Sequence, residues 1–130
     1  MTIQAPVPCA LPCYLQSFRE AFDHGNPNEL ADLFAEDAVF DCGGGHLVVG
    51  RHAIKYALTN FLIHGLKLHI NVLCVIEAGD VACVKTEWSL KGMNKVDQLI
   101  NLAGRALHVF ARAADGGWKL KIFNPFLQAN

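Results

Sequence analysis

The sequence predicts an α+β fold in which helices come first and an antiparallel sheet follows. Within residues 12–65 the apolar residues mostly recur every three or four positions, which is the period of an amphipathic helix. From residue 67 onwards apolar and polar residues alternate, which is the period of a strand with one buried face. Short turns, Gly79-Asp80 and Asp115-Gly116-Gly117, join alternating runs. Such turns favour antiparallel neighbours, so the later strands are expected to form a meander.

Three helices are predicted, and the residues at their ends suit helix termini. Pro12 fits the first turn of a helix that ends at Gly25. Asn28 can cap a short second helix that continues to about Phe34. The third helix covers residues 51–65, where the apolar residues again follow the helical period.

Six strands are predicted, two short and four long. The short strands are joined by the turn Gly43-Gly44-Gly45-His46, and residues 91–98 are expected to be a polar loop between two of the long strands. The predicted strand ranges are 39–42 and 47–49 for the short pair, and 67–77, 81–90, 101–112 and 118–126 for the long set.

Composition limits the classes of function. The chain has 130 residues, is 52% hydrophobic, and carries a formal net charge of −1. No basic run exceeds two residues, which argues against nucleic-acid binding. No apolar stretch reaches the roughly 18 residues of a membrane span, and residues 1–13 lack the basic start of a signal peptide. The expectation is a cytoplasmic protein with one domain over residues 12–130, preceded by an extended arm over residues 1–11.

Neither a metal site nor a cofactor is predicted. The six histidines include no HxH or HExxH spacing. The cysteines contain no CxxC pair and are expected to be mostly small buried residues. They are Cys9, Cys13, Cys42, Cys74 and Cys83.

Two motifs resemble a known family. The run from Leu33 to Phe40 resembles the "LFA-[DE]-D-A-hydrophobic" signature of nuclear transport factor 2-like proteins, and Gly50-Arg51-His52-Ala53-Ile54 is similar to the start of their third helix. The resemblance implies a cystatin-like cone, with three N-terminal helices on a curved antiparallel sheet of about four long and two short strands. Within that superfamily the chain looks like the SnoaL-like and steroid-isomerase-like small domains.

The resemblance also implies where a steroid isomerase would keep its catalytic groups. By ungapped matching the phenol position is Phe18, the base is Cys42, and the second acid is Leu107. None of these residues supplies the expected group, so a standard steroid isomerase is not expected.

A pocket is predicted from strand alternation. With Phe40 inside, Cys42 faces the cavity and Asp41 does not. On the strand over residues 101–112, the face of Arg105 and Leu107 is expected to be inward. The predicted pocket-lining residues are Phe18, Phe34, Phe40, Leu58, Phe61, Thr86, Trp88, Leu107 and Asn124.

Four residues are candidates for catalysis. Cys42 or His46 would accept a proton, Arg105 would stabilise negative charge, and Tyr14 would donate a hydrogen bond. The structural alternatives are a small buried residue for Cys42 and a solvent-directed side chain at a strand end for Arg105.

A homodimer through the outer face of the sheet is predicted. His69 and His108 are expected on that face, together with an apolar surface too large for a monomer. The apolar residues expected there are Leu73, Val75, Leu102, Ala106 and Phe110.

The function expected from the resemblance and the aromatic pocket is binding of a small apolar or aromatic ligand. As an enzyme the chain would be a cofactor-independent isomerase, lyase (dehydratase) or cyclase acting on an apolar carbonyl compound. The alternative is a non-catalytic ligand-binding or dimerisation module. The two differ in whether a titratable side chain lies within reach of the polar group of the cavity.

Overall fold

The structure, a computed structural model, describes residues 11–62, 65–93 and 96–127, and for Phe61 it describes the backbone alone. The α+β class is confirmed. Apart from Leu11, the predicted N-terminal arm lies outside the described residues. The elements in chain order are α1 (Leu11–His24), α2 (Pro27–Ala31), β1 (Phe34–Asp41), β2 (Leu47–Val49), α3 (Arg51–Leu62), β3 (Lys67–Ala78), β4 (Val81–Met93), β5 (Leu99–Arg112) and β6 (Trp118–Leu127).

The six strands form one mixed sheet in the order β2-β1-β6-β5-β4-β3. Strands β3 to β6 make an antiparallel meander, as expected, but β1 runs parallel to β6. The expectation of a purely antiparallel sheet was therefore wrong. Strands β1 and β6 are separated by most of the chain, so no hairpin turn fixes their relative direction.

Strand β1 begins earlier than the sequence predicts. Helix α2 ends at Ala31, and Phe34 already pairs with Leu120 of β6. The Arg51 side chain donates hydrogen bonds from Nε and Nη2 to the carbonyl oxygen of Phe34, at 2.9 and 2.7 Å. Arg51 follows Phe34 by 17 residues, so the helical spacing of the residues around Phe34 could not predict these hydrogen bonds.

The helices cover one side of the sheet, here called the inner face, which carries Ala82, Val84 and Thr86 of β4; the opposite side is the outer face. Helix α1 buries its apolar side in the core. The Asp23 carboxylate at its end accepts a hydrogen bond from the backbone N–H of Leu68, at 3.2 Å. This contact ties the end of α1 to the start of β3.

Strand β5 buries the opposite face from the one that the sequence predicts. Ala106, His108 and Phe110 are buried on the inner face, at 1%, 2% and 0% exposure. Arg105 and Leu107 therefore lie on the outer face, because side chains alternate along a strand. The choice of Leu107 as an inward residue, and of His108 as an outward one, was wrong.

Strand β6 changes face at a bulge. Val109 pairs with Ile122, whereas the next residue, Phe110, pairs with Leu120, so β6 has one extra residue at this point. Leu120 is buried before the bulge and Phe123 after it. The expected continuous face from Trp118 to Asn124 is interrupted, because a bulge shifts the alternation by one residue.

The contact between Arg51 and Phe34 gives a test of this fold. Arg51→Met is expected to lower the free energy of unfolding by about 1–3 kcal/mol, because a half-buried carbonyl loses two charge-assisted bonds. Arg19→Met is the matched control, since Arg19 makes an exposed pair with Asp23 at 3.6 Å and is expected to cost less than about 1 kcal/mol. Denaturant unfolding measures both, and equal losses would contradict the assignment.

Candidate functional site

A cavity of about 80 Å³ lies between the helices and the inner face of the sheet. One ordered water needs about 10–15 Å³ of such space, so the cavity can hold several waters or one small organic molecule. Its lining residues come from α1, α3 and five of the strands. They are Phe18, Phe22, Phe40, Leu58, Leu68, Ile70, Thr86, Trp88, Leu90, Leu102, Ala106, His108, Phe123, Pro125 and Phe126.

The cavity lining is apolar except for a few side chains. None of the lining residues is Asp, Glu, Lys or Arg. The indole N–H of Trp88 already donates to the backbone oxygen of Pro125, at 2.7 Å. Thr86 and His108 therefore carry the other side-chain polar atoms of the lining.

Thr86 and His108 form a buried pair. Val84 pairs with His108 in register and Thr86 pairs with Ala106, so Thr86 and His108 are diagonal neighbours on β4 and β5. Thr86 Oγ1 lies 3.1 Å from His108 Nε2, within hydrogen-bond distance. The other ring nitrogen, Nδ1, is buried and has no hydrogen-bond partner among the described residues. Buried polar atoms are rarely left unpaired, so this nitrogen needs an explanation.

The surroundings of His108 keep its ring neutral. Its ring centroid lies 5.0 Å from that of Phe123 and 6.1 Å from those of Phe18 and Phe110. Burial among these apolar rings lowers the pKa of His108 from 6.5 to about 4. At neutral pH the ring therefore carries one proton on one of its two nitrogens.

Trp88 forms one wall of the cavity and is held from three sides. Besides its bond to Pro125, its ring meets Phe126 edge to face, with centroids 6.3 Å apart. A Cβ atom on Gly104 would come within 2.9 Å of the indole. Glycine at position 104 thus leaves the space in which the indole lies across β5.

Five residues of the predicted pocket set border the cavity, and Phe34 does not. Phe34 is fully buried but packs behind the lining, with its ring centroid 6.1 Å from that of Phe123. The side chain of Phe61 lies outside the described residues. Those that border the cavity are Phe18, Phe40, Leu58, Thr86 and Trp88.

Leu107 and Asn124 also lie outside the cavity lining. Leu107 faces outward because of the reversed face of β5. Asn124 follows the bulge in β6, and its side-chain oxygen accepts a hydrogen bond from the backbone N–H of Phe126, at 3.0 Å. It supports the end of the strand and does not line the cavity.

Cys42 and His46 are positioned away from the cavity lining. Cys42 follows the end of β1 and is partly buried, and burial, with a smaller effect of Asp41, raises the pKa of its thiol. A raised pKa disfavours the thiolate that a base would need. His46 is exposed in the glycine-rich turn, where its carbonyl oxygen accepts from the N–H of Cys42, at 2.9 Å.

Neither Arg105 nor Tyr14 lines this cavity. Arg105 is exposed and pairs in register with Glu87 on the outer face. Tyr14 is buried in the core, where its hydroxyl accepts a hydrogen bond from the N–H of Leu120, at 3.3 Å. Burial raises the pKa of Tyr14, so its phenol stays protonated.

The sequence interpretation missed His108, although one signal was present. Phe110 is the largest side chain of its strand and belongs in the core. Placing it inside also places Ala106 and His108 inside and sends Arg105 to solvent. The ungapped match to a steroid isomerase favoured Leu107 and led to the wrong face.

Other potential sites are absent from the described residues. Within residues 11–62, 65–93 and 96–127, no group of three or more His, Cys, Asp or Glu side chains is arranged to hold a metal ion. In the same part of the chain, no helix is long and apolar enough to cross a membrane. The described cysteines are not buried, contrary to expectation: Cys42 and Cys83 are half-buried, and Cys13 and Cys74 are exposed.

The pKa of His108 predicts a pH dependence of stability. The folded state has a pKa of about 4 and the unfolded state about 6.5, so between these values the unfolded state binds the extra proton. The free energy of unfolding should therefore fall by roughly 3 kcal/mol as the pH drops through this window. His108→Leu should remove this part of the loss, and the exposed His69→Leu should not. Parallel pH profiles for the native protein and His108→Leu would contradict the assignment.

Solved structures of known proteins share this fold. A ketosteroid isomerase-like protein from Erwinia carotovora atroseptica is 17% identical with a TM-score of 0.78, over 88% of this chain and 90% of that one. A proposed scytalone dehydratase from Novosphingobium aromaticivorans is 23% identical with a TM-score of 0.80, over 88% and 79%. A proposed association domain of calcium/calmodulin-dependent protein kinase type II from Thiobacillus denitrificans is 19% identical with a TM-score of 0.75, over 95% and 100%. At these identities the likeness concerns the fold alone.

Sequence comparison gives the family. Comparison with curated protein sequences gave no significant match. A sequence profile of the SnoaL-like domain matches residues 15–120, from α1 to β6. The chain therefore belongs to the SnoaL-like domain family.

Proposed function

We propose that this protein binds a small, neutral and mainly apolar molecule in its cavity, against the ring of Trp88. The observation that carries the proposal is a cavity between the helices and the sheet whose lining side chains are apolar except for Thr86, Trp88 and His108. Ligand sites typically combine apolar walls with a few polar groups that orient the ligand.

The chemistry of the lining supports a neutral ligand. None of the lining residues is Asp, Glu, Lys or Arg, and burial keeps His108 uncharged near pH 7. An ion moved from water into such a site would lose its hydration without gaining a partner of opposite charge. Aromatic rings such as Phe18, Phe40 and Phe123 offer flat apolar surfaces, which favour cyclic or aromatic ligands.

Of the two candidate functions, ligand binding without catalysis is the one that the lining residues support best. Two of the similar structures are named as ketosteroid isomerase-like and as a proposed scytalone dehydratase, and the expected enzymatic alternative is a cofactor-independent isomerase, dehydratase or cyclase. In this chain such a reaction would have to use Thr86 and His108, and a pKa of about 4 makes His108 a weak base at neutral pH. Standard steroid isomerisation is not expected, because Phe18 replaces the phenol and the cavity lining has no carboxylate.

Ligand binding can be measured through Trp88, which borders the cavity. In a Trp118→Phe background Trp88 is the only tryptophan, since the chain has two. Titration with 1-tetralone, a small neutral aromatic ketone, is expected to change the Trp88 fluorescence saturably. Ala106→Phe, which fills the cavity, should weaken binding by about tenfold or more.

The matched control is Ala103→Phe, on the outer face of the same strand. It adds the same side chain to an exposed position and should leave the titration unchanged. Identical curves for Ala106→Phe and the native protein would show that the ligand does not occupy this cavity, and would refute the proposal.

We also propose a homodimer through the outer face of the sheet. Ile76, Cys83, Val109 and Ile122 lie in one register row across β3 to β6, on the outer face. Ile76 and Ile122 are 58% and 42% exposed, and the half-buried Cys83 and Val109 lie between them. A contiguous apolar row at the surface marks an interaction surface more often than scattered residues do. This row replaces the expected one, because Ala106 and Phe110 lie inside and Leu102 lines the cavity.

Light scattering coupled to size-exclusion chromatography tests the dimer. The native protein is expected at twice the chain mass of 14.2 kDa at micromolar concentrations, and a double change of Ile76→Lys and Ile122→Lys should give monomers. Tyr56→Lys, an equally drastic change at an exposed position of α3, is the control and should stay dimeric. A native protein that elutes only at the mass of one chain would refute this interface.

A further inference from the structure

We propose that Trp88 and Gly104 together set the length of the ligand that the cavity accepts. The indole of Trp88 narrows the cavity between its exposed end and its buried end, and Gly104 leaves the space in which the indole lies. Trp88 is the side chain that determines specificity, and Gly104 is a positioning residue that acts through it. This inference rests on the proposed function, because it concerns the ligand of the same cavity.

The cavity follows β5 from an exposed end to a buried end. The inner-facing residues of this strand are, in order, Leu102, Gly104, Ala106 and His108. Leu102 is 52% exposed, whereas Ala106 and His108 are 1% and 2% exposed, and all three line the cavity. At about 3.3 Å per residue this stretch is about 20 Å long. Trp88 pairs in register with Gly104, so its ring enters the cavity between the two ends.

The backbone at position 104 does not itself require glycine. Gly104 is not among the glycines with a positive φ, so its conformation is one that other residues also adopt. Glycine inside a strand lowers stability, because it loses more conformational freedom on folding and adds no packing. The indole supplies the reason for glycine here. A Cβ atom at position 104 would lie 2.9 Å from Cζ2 and 3.2 Å from Nε1 of Trp88, closer than ordinary van der Waals contact.

The indole can move away from Gly104 only into the cavity. Its N–H donates to the backbone oxygen of Pro125, at 2.7 Å, which holds the ring against β6. Phe126 meets the ring edge to face and is itself backed by Gly43, where an added Cβ would lie 3.2 Å from the phenyl ring. Since these neighbours are closely packed, a side chain at position 104 would push the indole toward the helices.

The position of the indole therefore affects long ligands more than short ones. A ligand with one ring needs only the space on one side of Trp88. A longer ligand must pass along the indole and share the width of the cavity with it. A smaller side chain at position 88 should admit longer ligands, and a larger one at position 104 should exclude them more strongly.

The position of the indole can be observed by NMR in the ligand-free protein. The chain has two tryptophans, and the Nε1–H signal of Trp88 is identified by its loss in Trp88→Phe. The bond to Pro125 should protect this N–H from exchange with solvent. Gly104→Ala should shift the signal and speed its exchange, because the displaced indole loses that bond. An unchanged signal would overturn the role of Gly104.

Two neutral probes that differ by one ring in line test the ligand length by calorimetry. They are benzyl alcohol and 4-biphenylmethanol. The length preference, defined as the affinity for 4-biphenylmethanol divided by that for benzyl alcohol, is compared between protein variants so that ligand hydration cancels. Trp88→Phe should raise it and Gly104→Ala should lower it, each by about tenfold, the scale of one methylene group in an apolar pocket. A length preference that is the same in all three proteins would overturn the inference.

The matched control is Gly104→Ala in a Trp88→Phe background. The phenyl ring lacks the indole atoms that lie nearest position 104, so the added methyl group should leave the length preference of Trp88→Phe unchanged. A general effect of alanine on β5 would be equal in both backgrounds, because independent effects add. An equal change in both backgrounds would show that Gly104 does not act through Trp88.

Failure of the inference differs from failure of the proposed function. If Ala106→Phe weakens both probes but the changes at positions 88 and 104 leave the length preference unaltered, the cavity binds and the inference alone fails. If Ala106→Phe leaves both titrations unchanged, or neither probe binds, the proposed function fails and the inference fails with it.

Discussion

Strand β5 can bury only one of its two faces, and its register with β4 decides which one. With Thr86 opposite Ala106 and Val84 opposite His108, the inner face of β5 is Ala106, His108 and Phe110. A shift of one residue would bury Leu107 and Val109 and expose the histidine. The cavity, its polar pair and the apolar outer face all depend on this register.

The register is stabilised by packing on the inner face of β5 and by the exposure of a charged side chain on its outer face. Phe110 is fully buried and meets Tyr14 of α1 edge to face, with centroids 4.7 Å apart. On the outer face Arg105 reaches solvent. The opposite register would bury the guanidinium and expose the phenyl ring, and both changes are unfavourable.

Burial of a histidine among phenylalanines is unusual, because a polar ring loses its hydration there. Thr86 compensates one ring nitrogen of His108, and the other remains unpaired within the described residues. The unpaired nitrogen carries a free-energy cost that an apolar residue of similar size would not have at this position.

The sequence predicted the fold class and one wall of the cavity, but not its polar group. On β4 a clear alternation separates Thr86 and Trp88 from Lys85 and Glu87, so its inner face was predictable. On β5 both faces are mainly apolar over residues 106–111, so alternation does not tell which face is buried. The bulge in β6 has no local sequence signal. The early start of β1 depends on the distant Arg51. Each miss reflects a tertiary contact that local periodicity does not contain.

A crystal structure of the protein with 1-tetralone tests the central claim most directly, because it locates the ligand. The account predicts the rings of the ketone in the cavity, between Phe40, Trp88 and Phe123. A ligand bound outside this cavity, for example on the outer face of the sheet, would contradict it.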